Sequence, residues 1–426
     1  MKYYEALDEQ RVVVTGMGCV SPLGLNLDTS FREIVAGNHG LIPVPEEFRD
    51  YSFVADYGVS AVGKVPGFDD EVLIEKTGIT RKESRFFHGS AKLALVAISE
   101  AMYQAGLAQE GSLKIDGIDP TSIGLSVGSG VAGGDTLGEV KAKVESGGRI
   151  PPTMSMKGFP ERVVTIASMM TGIKGAAHYT SAACATGNDA IIDGIRKVKL
   201  GELDIVIVGG SEAQVTMEAL GMFAGLTALD NSPVESASRP FNDTEKGFVM
   251  SEGAGILVLE SLKSAIKRGA MIYGEVAGYG DTADASDPTM LSGEGSERAV
   301  RQALSTVDDA STIYVNAHAT GTEGDKKELE VIRNTISLER LMAISSTKSA
   351  TGHMIGAAGA VEALVCLKAL ITGEVPPTTK LDSIVEIGRN LPVVANELKR
   401  VTFDVAVNNS FGFGGLNKVV AFARLL

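Results

Sequence analysis

The sequence predicts an α/β fold made of two similar halves, and three observations support this. Short apolar runs typical of strands alternate with longer stretches of helical spacing. Several of these runs are apolar on both faces, as expected of strands covered by helices on both sides. The order of the runs in the first half of the chain recurs in the second half, which indicates duplication of one βα unit.

Three runs in the first half have the character of strands, two of them with apolar cores that lead directly into glycines. They are residues 11–16, 122–130 and 204–210. Between the first two, residues 90–105 repeat apolar side chains at helical spacing. The second half has a counterpart of each strand. The counterparts are residues 272–278, 312–316 and 403–407.

The duplication predicts two halves, residues 1–265 and 266–426, with the joint near residues 261–270. Cys184 precedes one predicted helix and His353 precedes its counterpart in the second half. Equivalent helix starts are expected to meet at a pseudo-twofold axis, which would bring Cys184 and His353 together.

Composition narrows the class of protein. The 426 residues are 44% hydrophobic and 22% charged, as in ordinary soluble proteins, and 50 are glycine. A net charge of −14 argues against nucleic acid or an anionic membrane as partner. The N-terminus has no signal-peptide pattern, and the most apolar stretch, residues 354–371, carries Glu362 and Lys368. Three distant cysteines argue against a disulfide framework, so we expect a cytoplasmic protein.

Cys184 is the strongest candidate for a catalytic group. Small residues in the segment 181–187 lead into a helical run at 188–199, and a thiol at a helix N-terminus is expected to favour thiolate. Two distant segments rich in Gly and Thr supply His318 and His353. Singly, these residues would more often be a buried cysteine and two core histidines, but together they favour nucleophilic acyl chemistry.

Other motifs are weaker. Residues 16–21 lack the third glycine of a dinucleotide-binding fingerprint. The Ser345-x-x-Lys348 pattern of serine acylases is short enough to arise by chance. No cysteine and histidine spacing resembles a zinc site. The remaining cysteines and histidines fit apolar core or turn positions: Cys19, Cys366, His39, His88 and His178.

Four segments resemble the β-ketoacyl-acyl-carrier-protein synthases, condensing enzymes of the thiolase superfamily. They are residues 182–187, 315–325, 346–362 and 409–415. Supporting segments are residues 14–24, 238–241 and 247–255. The resemblance spans nearly the whole chain, and Gly187 with Thr351-Gly352 before His353 looks most like the type II elongation class. It implies a thiolase fold, five layers packed α-β-α-β-α, and a homodimer.

The resemblance also implies a reaction, the condensation of an acyl primer with a malonyl group that loses CO2. Cys184 would carry the acyl chain. His318 and His353 would donate hydrogen bonds through Nε2–H to the enolate oxygen, and Lys348 would set the electrostatics and geometry. The backbone N–H groups of Cys184 and Phe413 would form a second oxyanion hole, and Phe413 would gate the acyl pocket.

Further roles follow from the same resemblance. Thr320 and Thr322 would bind the pantetheine arm. The C-terminal glycine-rich loop would bring its backbone close to substrate through Phe411, Gly412 and Gly414. The carboxylates expected in structural or supporting roles are Asp325, Glu328 and Glu362. No metal or cofactor is implied, since the phosphopantetheine arm of acyl carrier protein carries the substrates.

Some positions depart from the family pattern. Asn188-Asp189 stands where a histidine is usual, and an acid there could oppose thiolate formation. The spacing from His318 to Asp325 is one residue short. Residues 284–289 lack another histidine that is usual in the family. The other departures are Leu416 and residues 158–162. We expect these positions to alter the substrate range rather than the reaction.

Three rivals remain. A thiolase would carry a second cysteine near residues 409–411, and a non-condensing partner subunit would lack Cys184. A ketosynthase of a secondary-metabolite pathway, polyketide or polyene, would keep all the catalytic groups, so the sequence separates it poorly.

The expected protein partner, acyl carrier protein, is acidic, as is this chain. Docking therefore requires a local basic patch. The candidates are Lys64, Arg81, Lys82 and Arg85 in one stretch, with Arg149 on a separate loop.

Overall fold

A computed structural model describes residues 11–244 and 246–425, apart from the side chains of Ser52, Phe53 and Asp135. The strands in this part of the chain are β1 (Val12–Val20), β2 (Leu41–Pro43), β3 (Ala61–Gly63), β4 (Ile123–Gly128), β5 (Ala177–His178), β6 (Ile205–Glu212), β7 (Gly253–Ser261), β8 (Gly274–Ala283), β9 (Ile313–Asn316), β10 (Leu341–Ser345), β11 (Glu374–Val375), β12 (Lys399–Arg400), β13 (Val405–Gly412) and β14 (Leu416–Ala423).

The α-helices of the same residues are α1 (Leu27–Val35), α2 (Ser52–Tyr57), α3 (Asp70–Thr77), α4 (Arg81–Ser84), α5 (Gly89–Gln104), α6 (Gly134–Glu145), α7 (Pro152–Lys157), α8 (Arg162–Thr171), α9 (Thr186–Lys199), α10 (Met217–Gly225), α11 (Leu262–Arg268), α12 (Glu294–Leu304), α13 (Gly324–Thr335), α14 (Lys348–Thr351) and α15 (Ala358–Thr372).

Ten strands form one mixed sheet whose two sides repeat each other. The order is β10-β9-β13-β14-β8-β1-β7-β6-β4-β5, and β1 joins β8 through only two residue pairs. Each side of the joint contains five strands, which we number here by their order along the chain. Outward from the joint, both sides run first, fifth, fourth, second, third. Parallel and antiparallel pairings match as well. The predicted duplication is therefore confirmed.

The helices complete five layers. α5 and α8 cover one face of the first half-sheet, and α12 and α13 cover one face of the second. The central helices α9 and α15 pack between the two half-sheets in a shared apolar core. Along β6, Val206 and Val208 face this core, whereas Ile205 and Ile207 face the outer helices. Both faces are buried, which explains the continuously apolar strands.

The two central helices start against each other. A side chain at Gly187, in the first turn of α9, would place its Cβ 2.4 Å from the backbone nitrogen of Ala360 in α15. A Cβ at Gly359 would lie 2.5 Å from Ser410 Oγ. Only glycine allows this approach, and the predicted meeting of the two helix starts is confirmed.

The apolar stretch noted in the sequence is a core helix. Residues Ile355–Thr372 are long and apolar enough to span a membrane, but 83% of this stretch is buried inside the protein. It comprises α15 and the turn before it, and both half-sheets cover it.

Candidate active site

Cys184 lies in a tight turn two residues before α9. The preceding residue, Ala183, has a left-handed backbone with φ of 50°, which is unfavourable for a residue with a side chain. Thr186 stabilises the turn, because its hydroxyl accepts the N–H of Ala182 at 2.8 Å and donates to the carbonyl of Ala183 at 2.7 Å. The turn presents the Cys184 thiol at the helix start, where the sequence placed it.

Burial dominates the chemistry of the Cys184 thiol. It raises the pKa of the thiol to about 11, although the charge of Lys348 and the backbone N–H groups of Phe413 and Cys184 act to lower it. The backbone N–H groups act in the expected direction, but burial outweighs them, so the thiol of the free protein is not a thiolate at neutral pH. The two N–H groups that face the sulfur are nevertheless those predicted to form an oxyanion hole.

His318 and His353 face each other next to the thiol pocket. Their ring centroids are 5.5 Å apart, and the rings meet edge to face. The ring of Phe248 packs 5.1 Å from His353, and that of Phe411 packs 5.9 Å from His318. Burial, reinforced by the charge of Lys348, lowers the pKa of both histidines well below the usual value. Both imidazoles are therefore neutral and can donate a single N–H each.

Lys348 is fully buried at the start of α14 and forms an ion pair with Glu362 of α15. Burial raises the pKa of Glu362 to about 7, and the lysine opposes this shift. The lysine charge acts on the Cys184 thiol and on both histidines. The charge of the buried Lys348 thus influences the thiol and both imidazoles.

Asp325 organises the loop after His318. Its carboxylate accepts backbone N–H groups from Thr320 at 2.9 Å, Gly321 at 3.1 Å and Phe241 at 2.9 Å. The hydroxyls of Thr320 and Thr322 lie 3.1 Å apart on this loop. The shortened spacing to Asp325 therefore still allows the carboxylate to close the loop.

Glu328 holds the start of the same loop. Its carboxylate accepts the backbone N–H groups of His318 and Ala319, both at 2.8 Å, and the side-chain amide of Asn409 at 3.0 Å. Glu328 therefore links two segments of the site: the backbone that carries His318, and strand β13, which leads to Phe413.

The tight turn between β13 and β14 packs onto the cysteine turn. A Cβ at Gly412 would lie 2.6 Å from the carbonyl oxygen of Ala182, so glycine is required there. Gly414 and Gly415 have φ of 85° and 74°, in the left-handed region. These glycines allow the N–H of Phe413 to approach the thiol, while its ring lies 6.5 Å from that of Phe223.

Sequence reasoning missed two groups of residues around the thiol. One is an apolar cluster around Cys184 that includes Val215, Leu220, Phe248 and Ile355. Its members come from a short strand, a helix and loops in distant parts of the chain, so no local pattern unites them. Phe248 and Ile355 lie in segments that resemble the family, but nothing in the sequence placed their side chains beside the thiol. The other is the pairing of charges near the cysteine turn: the sequence singled out Asp189, but not its ion pair with Lys418 at 2.6 Å.

Comparisons with known proteins show the family of this chain. Sequence models of the β-ketoacyl synthase N-terminal and C-terminal domains match residues 9–265 and 273–382. The 3-oxoacyl-[acyl-carrier-protein] synthase 2 of Staphylococcus aureus strain N315 is 35% identical over 424 residues, 97% of this chain and 98% of that protein. The enzyme of the same name from Synechocystis is 35% identical over 430 residues, 98% and 99% of the two chains.

Solved structures extend the comparison. A β-ketoacyl synthase from Burkholderia phymatum has a TM-score of 0.89 at 28% identity, and the ishigamide ketosynthase/chain length factor has 0.87 at 28%. A type II polyketide synthase acyl-carrier protein complex with its ketosynthase matches at 0.84 and 26%. Each match covers 98% of this chain and all of the other. With both domain models matched and a relative 35% identical along nearly its full length, the chain belongs to the β-ketoacyl synthase family.

Proposed function

We propose that this chain is a 3-oxoacyl-acyl-carrier-protein synthase of fatty acid elongation. It is an acyltransferase that condenses an acyl primer, carried on Cys184, with malonyl-acyl carrier protein. The products are 3-ketoacyl-acyl carrier protein and CO2. The observation that supports this most is the meeting of one buried thiol, two backbone N–H groups and two neutral imidazoles in one pocket.

The first half-reaction loads the enzyme. Cys184 Sγ attacks the thioester carbonyl, a new Sγ–carbon bond forms and the carbon–sulfur bond of the pantetheine thioester breaks. The proton of the Cys184 thiol passes to the departing pantetheine sulfur, since the raised pKa keeps that thiol protonated beforehand. The N–H groups of Cys184 and Phe413 stabilise the carbonyl oxygen while it carries negative charge.

The second half-reaction forms the carbon–carbon bond. The bond from the malonyl α-carbon to its carboxylate breaks, CO2 leaves, and the electron pair generates an enolate. His318 and His353 donate N–H bonds to the enolate oxygen, which requires the neutral rings that burial provides. The enolate carbon forms a bond to the acyl carbonyl carbon, and the bond from that carbon to Cys184 Sγ breaks. Sγ leaves as a thiolate and takes a proton from solvent, since its pKa is raised.

The partner in both half-reactions is acyl carrier protein, with Thr320 and Thr322 as the residues that bind the pantetheine arm. The names of the Staphylococcus and Synechocystis relatives support this partner, as does the solved ketosynthase complex with a carrier protein. We place the reaction in the cytoplasm.

The chain acts as a homodimer in this proposal. Both residues of the edge strand β5 are exposed at one end of the ten-stranded sheet, where backbone groups are available for pairing. The side chains of Leu137 and Phe159, from the same half of the chain, are more than half exposed. A second copy of the chain would cover such surfaces.

A ketosynthase of a secondary-metabolite pathway is the second candidate, because one solved neighbour is the ketosynthase of a type II polyketide synthase. The test is an assay of purified protein with acyl-carrier-protein primers of graded length and saturation plus malonyl-carrier protein. Mass spectrometry should detect 3-ketoacyl-carrier protein after one extension with release of CO2. Repeated extension of unreduced intermediates would favour the second candidate, and the absence of any product would contradict both.

A further inference from the structure

Four charged side chains form a chain of ion pairs that starts at Asp189, five residues after Cys184. Lys418 of β14 contacts Asp189 of α9 at 2.6 Å and Asp281 of β8 at 2.5 Å. Asp281 in turn pairs with Arg196 of α9 at 2.7 Å. Asp189 and Arg196 are two turns apart on the same face of α9. The helix therefore holds both strands through a chain of ion pairs with no net charge.

This chain of ion pairs joins the two segments that supply the N–H groups facing the thiol. Asp189 lies five residues after Cys184, and Lys418 lies five residues after Phe413. Thr180, just before the cysteine turn, donates its hydroxyl to Asp189. The side chain of Asn188 donates to the backbone carbonyl of Lys418 at 3.1 Å, so the backbones are also linked at this point.

We propose that Lys418 is a positioning residue for acyl transfer. Its two ion pairs fix the turn that carries the Phe413 N–H against the start of α9, and so set the distance between the two donors of one oxyanion hole. The proposal rests on the proposed function, because it assigns these N–H groups to the acylation step.

The ion pairs of Lys418 are largely shielded from water. The side chain of Lys418 is 10% exposed, and those of Asp189 and Asp281 are 22% and 24% exposed. Burial acts to lower the pKa of Lys418, but the hydrogen bonds that its ammonium donates to both aspartates raise it overall. Loss of the lysine would leave two carboxylates close together and largely shielded from water, so the strands and the helix would move apart to hydrate them.

The two half-reactions are expected to depend on the ion pairs of Lys418 to different degrees. The loop that carries His318 is held by Glu328 and Asp325, and His353 follows the helix that begins at Lys348. None of these contacts involves Lys418. Displacement of the Phe413 N–H should therefore slow acyl transfer to Cys184 while malonyl decarboxylation continues.

The experiment compares Lys418→Met, which keeps the side-chain length, with Lys418→Arg, which keeps the charge. The control is Lys92→Met, because Lys92 also pairs with an aspartate, Asp70, at 2.6 Å and is partly buried. Acylation by a soluble acyl-pantetheine thioester is followed by intact-protein mass spectrometry. Decarboxylation of malonyl-carrier protein is measured in a Cys184→Ala background, with and without Lys418→Met.

Lys418→Met should reduce the acylation rate at least about tenfold, as expected when an oxyanion donor is misplaced. Decarboxylation should stay within about twofold, Lys418→Arg should recover most of the acylation rate, and Lys92→Met should resemble the wild type. An equal loss in both half-reactions, or no loss in either, would overturn the positioning role. If Lys418→Met does not fold, Asp189→Asn is read by the same criteria. A wild-type protein that gains no acyl group would instead contradict the proposed function.

Discussion

Burial determines how the Cys184 thiol behaves before substrate arrives. Because its pKa is raised from 9.0 to about 11, the thiol is protonated at neutral pH, and the thiolate fraction grows about tenfold per pH unit up to that value. The rate of iodoacetamide alkylation at Cys184 should therefore still increase between pH 9 and pH 10. Peptide mass spectrometry measures this rate at each pH, with circular dichroism to verify folding. A rate that levels off below pH 9 would contradict a raised pKa.

The histidine pair should serve one half-reaction more than the other. His318→Ala or His353→Ala removes a donor to the enolate oxygen, so malonyl decarboxylation should fall about a hundredfold to a thousandfold. Acyl transfer to Cys184 should fall much less. His39→Ala, at an exposed histidine, is the matched control for both rates. If either catalytic variant lost both half-reactions equally, the histidines would only shape the fold.

At the residue scale, the resemblance predicted Cys184, His318, His353 and Lys348 as site residues. The structure places the two imidazoles against each other and all three other groups within the influence of the Lys348 charge. The direction of the thiol pKa shift could not be predicted, because it depends on apolar side chains from distant loops. The pairing of Asp189 with Lys418 was missed for a similar reason. The two residues are far apart in sequence, and each resembles an ordinary surface charge.

At the element scale, the contact between α9 and α15 depends on glycine. Gly187→Ala would place a Cβ 2.4 Å from a backbone nitrogen, which neither helix can relieve without moving. We expect a loss of stability of about 1–3 kcal/mol in the free energy of unfolding, measured by urea denaturation.

Gly225→Ala is the matched control, since nothing lies within 4 Å of the added Cβ at the end of α10. This substitution should be neutral or slightly stabilising. Equal stability of the two variants would show that the helices do not need close contact at Gly187.

Each half gives five strands to the ten-stranded sheet, and three of these were visible in the sequence as apolar runs. The other two strands of this sheet in each half were not identified. β5 is only two residues long, and β10 is a short apolar run, Leu341–Ser345, with no glycine or proline directly beside it. β7 and β14 lie in segments that were considered only as family motifs or as loops, so their part in the repeated strand order became visible only in the sheet.

At the scale of the whole molecule, both halves are needed for one site. The first half supplies Cys184, and the second supplies His318, His353, Lys348 and Phe413. The division into residues 1–265 and 266–426 remains our proposal for the domain boundary, and it falls within α11.

Docking of an acidic carrier protein by an acidic enzyme requires a local basic surface. On α4, Arg81 pairs with Glu71, whereas Lys82 and the adjoining Arg85 are exposed. The double variant Lys82→Glu/Arg85→Glu should raise the apparent KM for the carrier substrate. It should leave kcat and turnover of a small thioester nearly unchanged. Added salt should weaken the wild-type interaction more than that of the variant.

Lys263→Glu/Lys267→Glu is the control for this prediction, because it makes the same charge change at two exposed lysines of α11. It should change the carrier KM less than the α4 variant does. Equal KM values for the two variants would remove the α4 surface from the docking site.

The central claim is that the acyl chain is carried on Cys184. It is tested most directly by incubating the protein with an acyl-carrier-protein thioester and mapping the added mass by peptide mass spectrometry. We predict one acyl group on the peptide that contains Cys184, no acyl group in Cys184→Ala, and continued malonyl decarboxylation by that variant. An acyl group on another residue, with Cys184 unmodified, would contradict the account.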